Sequence, residues 1–217
     1  MIPIREKREF MLFNRIPVMV QDRPNYDLEK MTSSLKKKVP ASLLSDLDYV
    51  IVANSKYLKD KELDSAFLDG VIYMSPDIED TNEAILTIVH EIAHSVEENF
   101  PQVYEDQTIE TEFIGKRVKL AQILKSQNID IAGQDFVSAE YEEKFDDFLY
   151  LQIGYPLLRN LTSGLFMSPY AITSVREYFA DAFEEYFLRD PMAVKLITPA
   201  VYYKIEELLE ALGEKFI

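Results

Sequence analysis

The chain has 217 residues, of which 47% are hydrophobic and 28% charged, enough apolar material to bury a core without covalent staples. It contains no cysteine, which excludes disulfide scaffolds, thiolate zinc fingers and cysteine nucleophiles. With 23 Lys and Arg against 38 Asp and Glu, the net charge of −15 opposes phosphate backbones and anionic lipids, so neither nucleic acid nor membrane is expected as a partner.

Residues 1–10 carry charges but no apolar core with a small-residue cleavage site, so they do not read as a secretory signal. No apolar run reaches the roughly 20 residues of a spanning helix. A cytoplasmic or virion-associated location is therefore expected over a secreted one. The absence of repeats and of long Gly/Ser/Pro linkers points to one domain over 1–217, with a β-containing lobe at 1–100 and a helical lobe at 101–217.

In chain order, short strands are expected at Met11–Phe13, Val18–Val20 and Tyr49–Ala53, with a helix over Tyr26–Lys38 that stops before Val39-Pro40. Ala66–Pro76 reads as one further strand with Gly70 at a bulge inside it. From Asp80 the apolar period changes to 3.6: Ile85, Ile88, Val89, Ile92 and Val96 define a helix of about five turns, N-capped by Asp80 and stopped at Asn99-Phe-Pro101. Helices follow at 105–127 and 136–153, then an irregular Pro/Gly-containing stretch at 154–169, then helices at 174–188 and 199–212. The fold class is thus α+β, with a small N-terminal mixed sheet and a mainly helical second half.

The 3.6-period helix carries His90-Glu91-Ile92-Ala93-His94, an H-E-x-x-H pattern. Residues i and i+4 lie one turn apart on one face, so two imidazoles can converge on a metal ion while Glu91 stands beside them to hold a water. The only two histidines of the chain are these. Random placement would give that spacing roughly 1% of the time. The alternative is a pair of surface histidines, since Ile85, Ile88, Val89 and Ile92 form the core stripe and leave His90 and His94 on another face with Thr87 and Glu97.

Zn2+ wants a third protein ligand and one open position. The extended metzincin pattern requires Gly and His where Glu97 and Phe100 stand, so the third ligand must be a carboxylate. Glu177 and Asp181 share a face of the 174–188 helix, whose buried stripe is Phe179, Ala182, Phe183 and Tyr186. Glu177 would ligate the metal and Asp181 would accept a ring N–H of a ligating histidine. An equally good reading of the spacing makes Ser174-Val-Arg-Glu177 a capping box, with Glu177 turned back to the helix start.

These residues resemble the catalytic domain of anthrax lethal factor and its relatives, including the Pro-Pro endopeptidases, which are zinc metallopeptidases of the zincin fold. In that family a tyrosine precedes, by seven residues, a glutamate in a segment of the type E-[FY]-F-A-[ED]-[AS]-F. Tyr170 precedes Glu177 by that interval, and Glu177-Tyr-Phe-Ala-Asp-Ala-Phe183 repeats the segment. The likeness spans roughly residues 66–190. It implies a zincin-like fold, Zn2+ on His90, His94 and Glu177, Glu91 as general base and acid, Tyr170 as donor to the oxyanion and Asp181 in the supporting acidic position. Tyr155 and Tyr178 are nearby alternatives to Tyr170. Residues 1–60 carry no feature of that family.

The function expected is a zinc metalloendopeptidase of the gluzincin type acting on a peptide or protein substrate, which would add along the 66–76 strand as an extended segment. Two alternatives stand beside it. One is a cytosolic regulatory metallopeptidase that cuts a repressor or partner; the other is a zincin fold kept as a structural or interaction module, for instance in a host assembly or virion. The acids at Glu105, Asp106, Glu110, Glu112, Glu140, Glu142, Glu143, Asp146 and Asp147 read as solvated helix faces.

Overall fold

The computed structural model describes residues 10–214, and the expectation about the N-terminal segment lies largely outside them. Two compact units, 1–99 and 100–217, divide the chain. All strands of the described residues lie in the first unit, and the content is mixed α+β, with a five-stranded sheet and nine α-helices.

In the first unit the strands are β1 (Phe10–Leu12), β2 (Ile16–Val20), β3 (Tyr49–Val52), β4 (Ser65–Leu68) and β5 (Val71–Met74), in the order β1-β2-β3-β5-β4. The centre is parallel, pairing Val18 with Val50 and Val50 with Ile72, while β1 and β4 run antiparallel to their neighbours. Alternation sends Val18, Val50, Val52, Ile72 and Met74 into the core, each at most 2% exposed. Three helices accompany the sheet: α1 (Leu28–Lys38), α2 (Lys56–Lys61) and α3 (Thr81–Asn99). Asp27 caps α1 by accepting from the Lys30 N–H at 3.0 Å, and the helix ends where Val39 turns extended before Pro40. Asp80 caps α3, its carboxylate accepting from the N–H groups of Asn82 and Glu83.

The stretch read as one bulged strand over 66–76 is a hairpin. Asp69 and Gly70 take φ of 47° and 79°, the left-handed pair that a two-residue turn requires, so β4 and β5 face each other with Leu68 opposite Val71. The Asp-Gly dipeptide was the signal for this. As a consequence β4 is an edge strand of the described sheet.

The second unit holds α4 (Thr108–Ser126), α5 (Glu143–Asp147), α6 (Tyr155–Leu161), α7 (Val175–Leu188), α8 (Pro191–Ile197) and α9 (Pro199–Ala211). Its core is aromatic: Phe179, Phe183 and Phe187 stack along α7, and Phe113, Phe166 and Tyr178 meet in a second cluster. The helix expected at 136–153 is confined to α5 and a π-helical turn over Phe148–Ile153. Residues before it cannot coil because their carbonyls are already used. The buried Arg117 guanidinium donates to the carbonyls of Asp135 and Ser138, and the Val175 N–H donates to that of Ala139. Conversely, α6 and α8 occupy stretches not read as helical. Pro156, Pro191 and Pro199 each sit in a first turn, where a missing N–H costs nothing. Among the described residues, no helix is long and apolar enough to cross a membrane.

Gly70 is a sensitive point of the first unit. A Cβ there would stand 3.0 Å from the Asp48 carboxylate at a φ that L residues avoid. Gly70→Ala should lower stability by about 1–2 kcal/mol. Gly115→Ala, in the interior of α4 with open space around the added carbon, should raise it by about 0.5–1 kcal/mol. Urea denaturation of the two variants reads both signs.

Candidate functional site

α3 separates two faces. Ile85, Ile88, Val89, Ile92 and Val96 are buried as the periodicity requires, and His90 and His94 are half-buried on another side of the helix. Their rings lie edge to face with centroids 5.0 Å apart. One turn of helix has placed two imidazoles side by side, as the i, i+4 spacing demands.

Two neighbours of the histidines escape the sequence pattern. Glu97, one turn beyond His94, is buried, and its carboxylate lies 2.7 Å from His94 Nδ1. Where the carboxylate is ionised and the imidazole neutral, Nδ1–H donates and Nε2 keeps the lone pair, the usual arrangement of a metal-ligating histidine. The i, i+3 spacing of His94 and Glu97 was available as a signal.

Ser65 is the second. Its hydroxyl, on β4, donates to Glu91 Oε1 at 2.5 Å. Glu91 is only 6% exposed, and a carboxylate at that depth needs such a donor. The bond ties one carboxylate oxygen to the sheet edge. Because Ser65 and Glu91 are 26 positions apart, periodicity could not have found it.

In the second unit the expected residues gather at the start of α7. Tyr170 opens a 3-10 turn, Tyr170–Ile172, immediately before the helix. Ser174 caps α7 by accepting from the Glu177 N–H at 3.2 Å. The cap therefore uses the Glu177 backbone, a group separate from its carboxylate. Glu177 and Asp181 are half-buried one turn apart, while Phe179, Ala182, Phe183 and Tyr186 are buried. Glu184 adds a further carboxylate on the same helix, which the spacing analysis did not single out. The side chains of this helix that could donate to a metal are thus carboxylates, and those of α3 are imidazoles.

Three tyrosines considered for a catalytic role are sorted by environment. Tyr178 is fully buried and its hydroxyl is spent on Glu112 and Lys116. Tyr155 donates to Asp146 at 3.3 Å. Tyr170 is 36% exposed, and burial of its hydroxyl, then the charges of Glu177 and Asp146, push its pKa well above the ordinary tyrosine value. It stays protonated at neutral pH and remains a hydrogen-bond donor.

No family model, curated protein or solved structure matches this chain. The reading of the site therefore stands on its geometry and on the motif.

The His94 arrangement is directly measurable. Nitrogen-15 NMR of the metal-free protein at pH 8 should show His94 as the Nδ1–H tautomer, and Glu97→Ala should return it toward the Nε2–H form that free imidazole side chains favour. An unchanged tautomer in the variant would remove Glu97 from the site.

Proposed function

We propose that the chain is a zinc-dependent metalloendopeptidase of the gluzincin type, with His90, His94 and Glu177 as metal ligands and Glu91 as general base. The observation that carries this is on α3: two adjacent imidazoles, one with its outer nitrogen held by a buried carboxylate, beside a glutamate anchored by a serine. A structural role for paired histidines requires none of those supports.

What supports a shared ion is the donor set. His90 and His94 on α3 would supply two imidazole nitrogens and Glu177 on α7 one carboxylate oxygen. Two neutral nitrogens and one carboxylate suit Zn2+, with a position left for water. Glu184, half-buried on the same helix as Glu177, is the competing carboxylate for the ligand role. When bound, zinc would supply Lewis acidity toward a water and a peptide carbonyl.

The protein groups do the rest. Ser65 holds Glu91 Oε1, which leaves Oε2 to take a proton from the attacking water and pass it to the departing amine. Tyr170, kept protonated, donates to the oxygen of the carbonyl as negative charge develops there. The edge strand β4 presents backbone groups to which an extended peptide could add, and it is the strand that carries Ser65. The zincin fold and the likeness to the lethal factor and Pro-Pro endopeptidase family belong to the same proposal.

Metal analysis with a peptide-library digest on the same samples tests it. Wild type should carry about one zinc per chain and cleave. Glu91→Gln should keep the metal and lose about 10²–10⁴-fold in activity. Glu177→Ala should lose both, whereas Glu184→Ala should keep both. A wild type that takes up no zinc when offered it sinks the proposal, and loss in Glu184→Ala rather than Glu177→Ala reassigns the third ligand.

A further inference from the structure

The acids of the second unit behave in two ways. Most are solvated, as expected, and several take a cation: Asp106 and Glu207 receive the Lys204 ammonium at 2.8 and 2.9 Å, and Glu112 receives Lys116 at 3.3 Å, while Glu206 accepts from the single phenol of Tyr186. Asp146 differs. Its carboxylate accepts from two phenols, Tyr141 at 3.0 Å and Tyr155 at 3.3 Å, and among the described residues no Lys or Arg pairs with it. Hydroxyl donors stabilise a carboxylate without cancelling its charge. A negative site results, walled by aromatic rings.

The rings are also placed where rings cost free energy. Tyr150 projects from the π-helical turn over Phe148–Ile153, is 60% exposed, and meets Tyr155 edge to face at 5.2 Å between centroids. Tyr141 is 52% exposed. A π-turn is a local distortion that concentrates at functional places. Here it turns an aromatic face outward beside a carboxylate whose hydroxyl partners fix the two other rings. Burial, then Asp146, pushes the Tyr141 hydroxyl up to about 12, so these phenols stay neutral donors. The Val175 N–H donates to the Ala139 carbonyl at 2.8 Å, which puts the segment leading to Tyr141 beside the start of α7.

We propose that Tyr141, Asp146, Tyr150 and Tyr155 form a subsite for a cationic side chain, Lys or Arg, carried by an extended peptide. A ring face and a carboxylate attract the same cation from two directions, and a neutral apolar side chain gains only the ring contact. The net charge of −15 adds long-range attraction of the same sign. The assignment of the cation-bearing peptide as a substrate rests on the peptidase reading above; the cation subsite itself does not.

Two probes separate these. n-Butylammonium and n-butylguanidinium, titrated into protein with ring-labelled tyrosine, should shift Tyr141, Tyr150 and Tyr155 in NMR spectra, and 1-butanol should not. Asp146→Asn, which keeps the side-chain shape, and Tyr150→Leu, at an exposed position, should each abolish the cation response. In the peptide-library digest, Lys or Arg should be preferred over norleucine at one position by at least tenfold, a preference that both variants lose while general cleavage persists. Equal shifts with butanol, or an Asp146→Asn protein that responds like wild type, overturn the subsite. Cation-specific shifts in a protein that cleaves nothing uphold it and overturn the peptidase reading instead.

Discussion

A buried carboxylate beside the apolar stripe of α3 is the constraint around which the first unit is arranged. Glu91 sits within a helix whose neighbouring positions, Ile88, Val89 and Ile92, are in the core, and at its depth an unsatisfied carboxylate would cost several kcal/mol. The Ser65 hydroxyl meets that need from the sheet edge. Ser65 reaches it only because β4 pairs with β5 in one register, and that register is set by the Asp69-Gly70 turn. The turn in turn is anchored to the Asp48 N–H, which donates to the Gly70 carbonyl at 2.8 Å. A two-residue turn and a glutamate thus belong to one chain of dependence, and a slip of one residue in β4 would carry Ser65 to the opposite face.

The second unit solves a different problem, how to present acids on a helix packed on all its apolar sides. α7 buries a nearly continuous aromatic surface, and the charges of Glu177, Asp181 and Glu184 are held to positions of intermediate exposure. Ser174 starts the helix cleanly, so that Tyr170 and Glu177 are separated by one 3-10 turn and one cap rather than by a flexible loop. The interior is also polar in places: Arg117 stacks on Phe145 at 3.9 Å while its guanidinium holds two loop carbonyls. That one side chain converts an apparent helix into an ordered loop, and the same loop supplies the carbonyl of Ala139 to the first N–H of α7.

The acidic excess is likewise not uniform. Glu105, Glu140, Glu142, Glu143 and Asp147 are exposed, in keeping with a solvated surface. Glu112 and Asp146 depart from it, the first tying Tyr178, Lys116 and the Ala200 N–H together at the base of α9, the second collecting tyrosine hydroxyls. Both carboxylates lie on helices whose sequence reads as plain charge, and only their partners, 66 and 88 positions away for Glu112, distinguish them from solvated neighbours.

By itself the sequence determined what depends on local period and local chemistry. The α3 stripe, the pairing of His90 with His94, the Asp80 and Ser174 caps, the α7 core stripe and the confinement of strands to the first unit all follow from spacings of a few residues, for which backbone geometry leaves little choice. Tertiary structure decided everything that depends on partners far along the chain or on competition for backbone groups. Whether 136–142 coils was settled by Arg117, which of three tyrosines keeps an available hydroxyl was settled by Glu112 and Asp146, and the anchoring of Glu91 was settled by a serine on another strand. The physical reason is that a hydrogen-bonding group is claimed by whichever partner the folded chain delivers to it, and no window of sequence records that delivery.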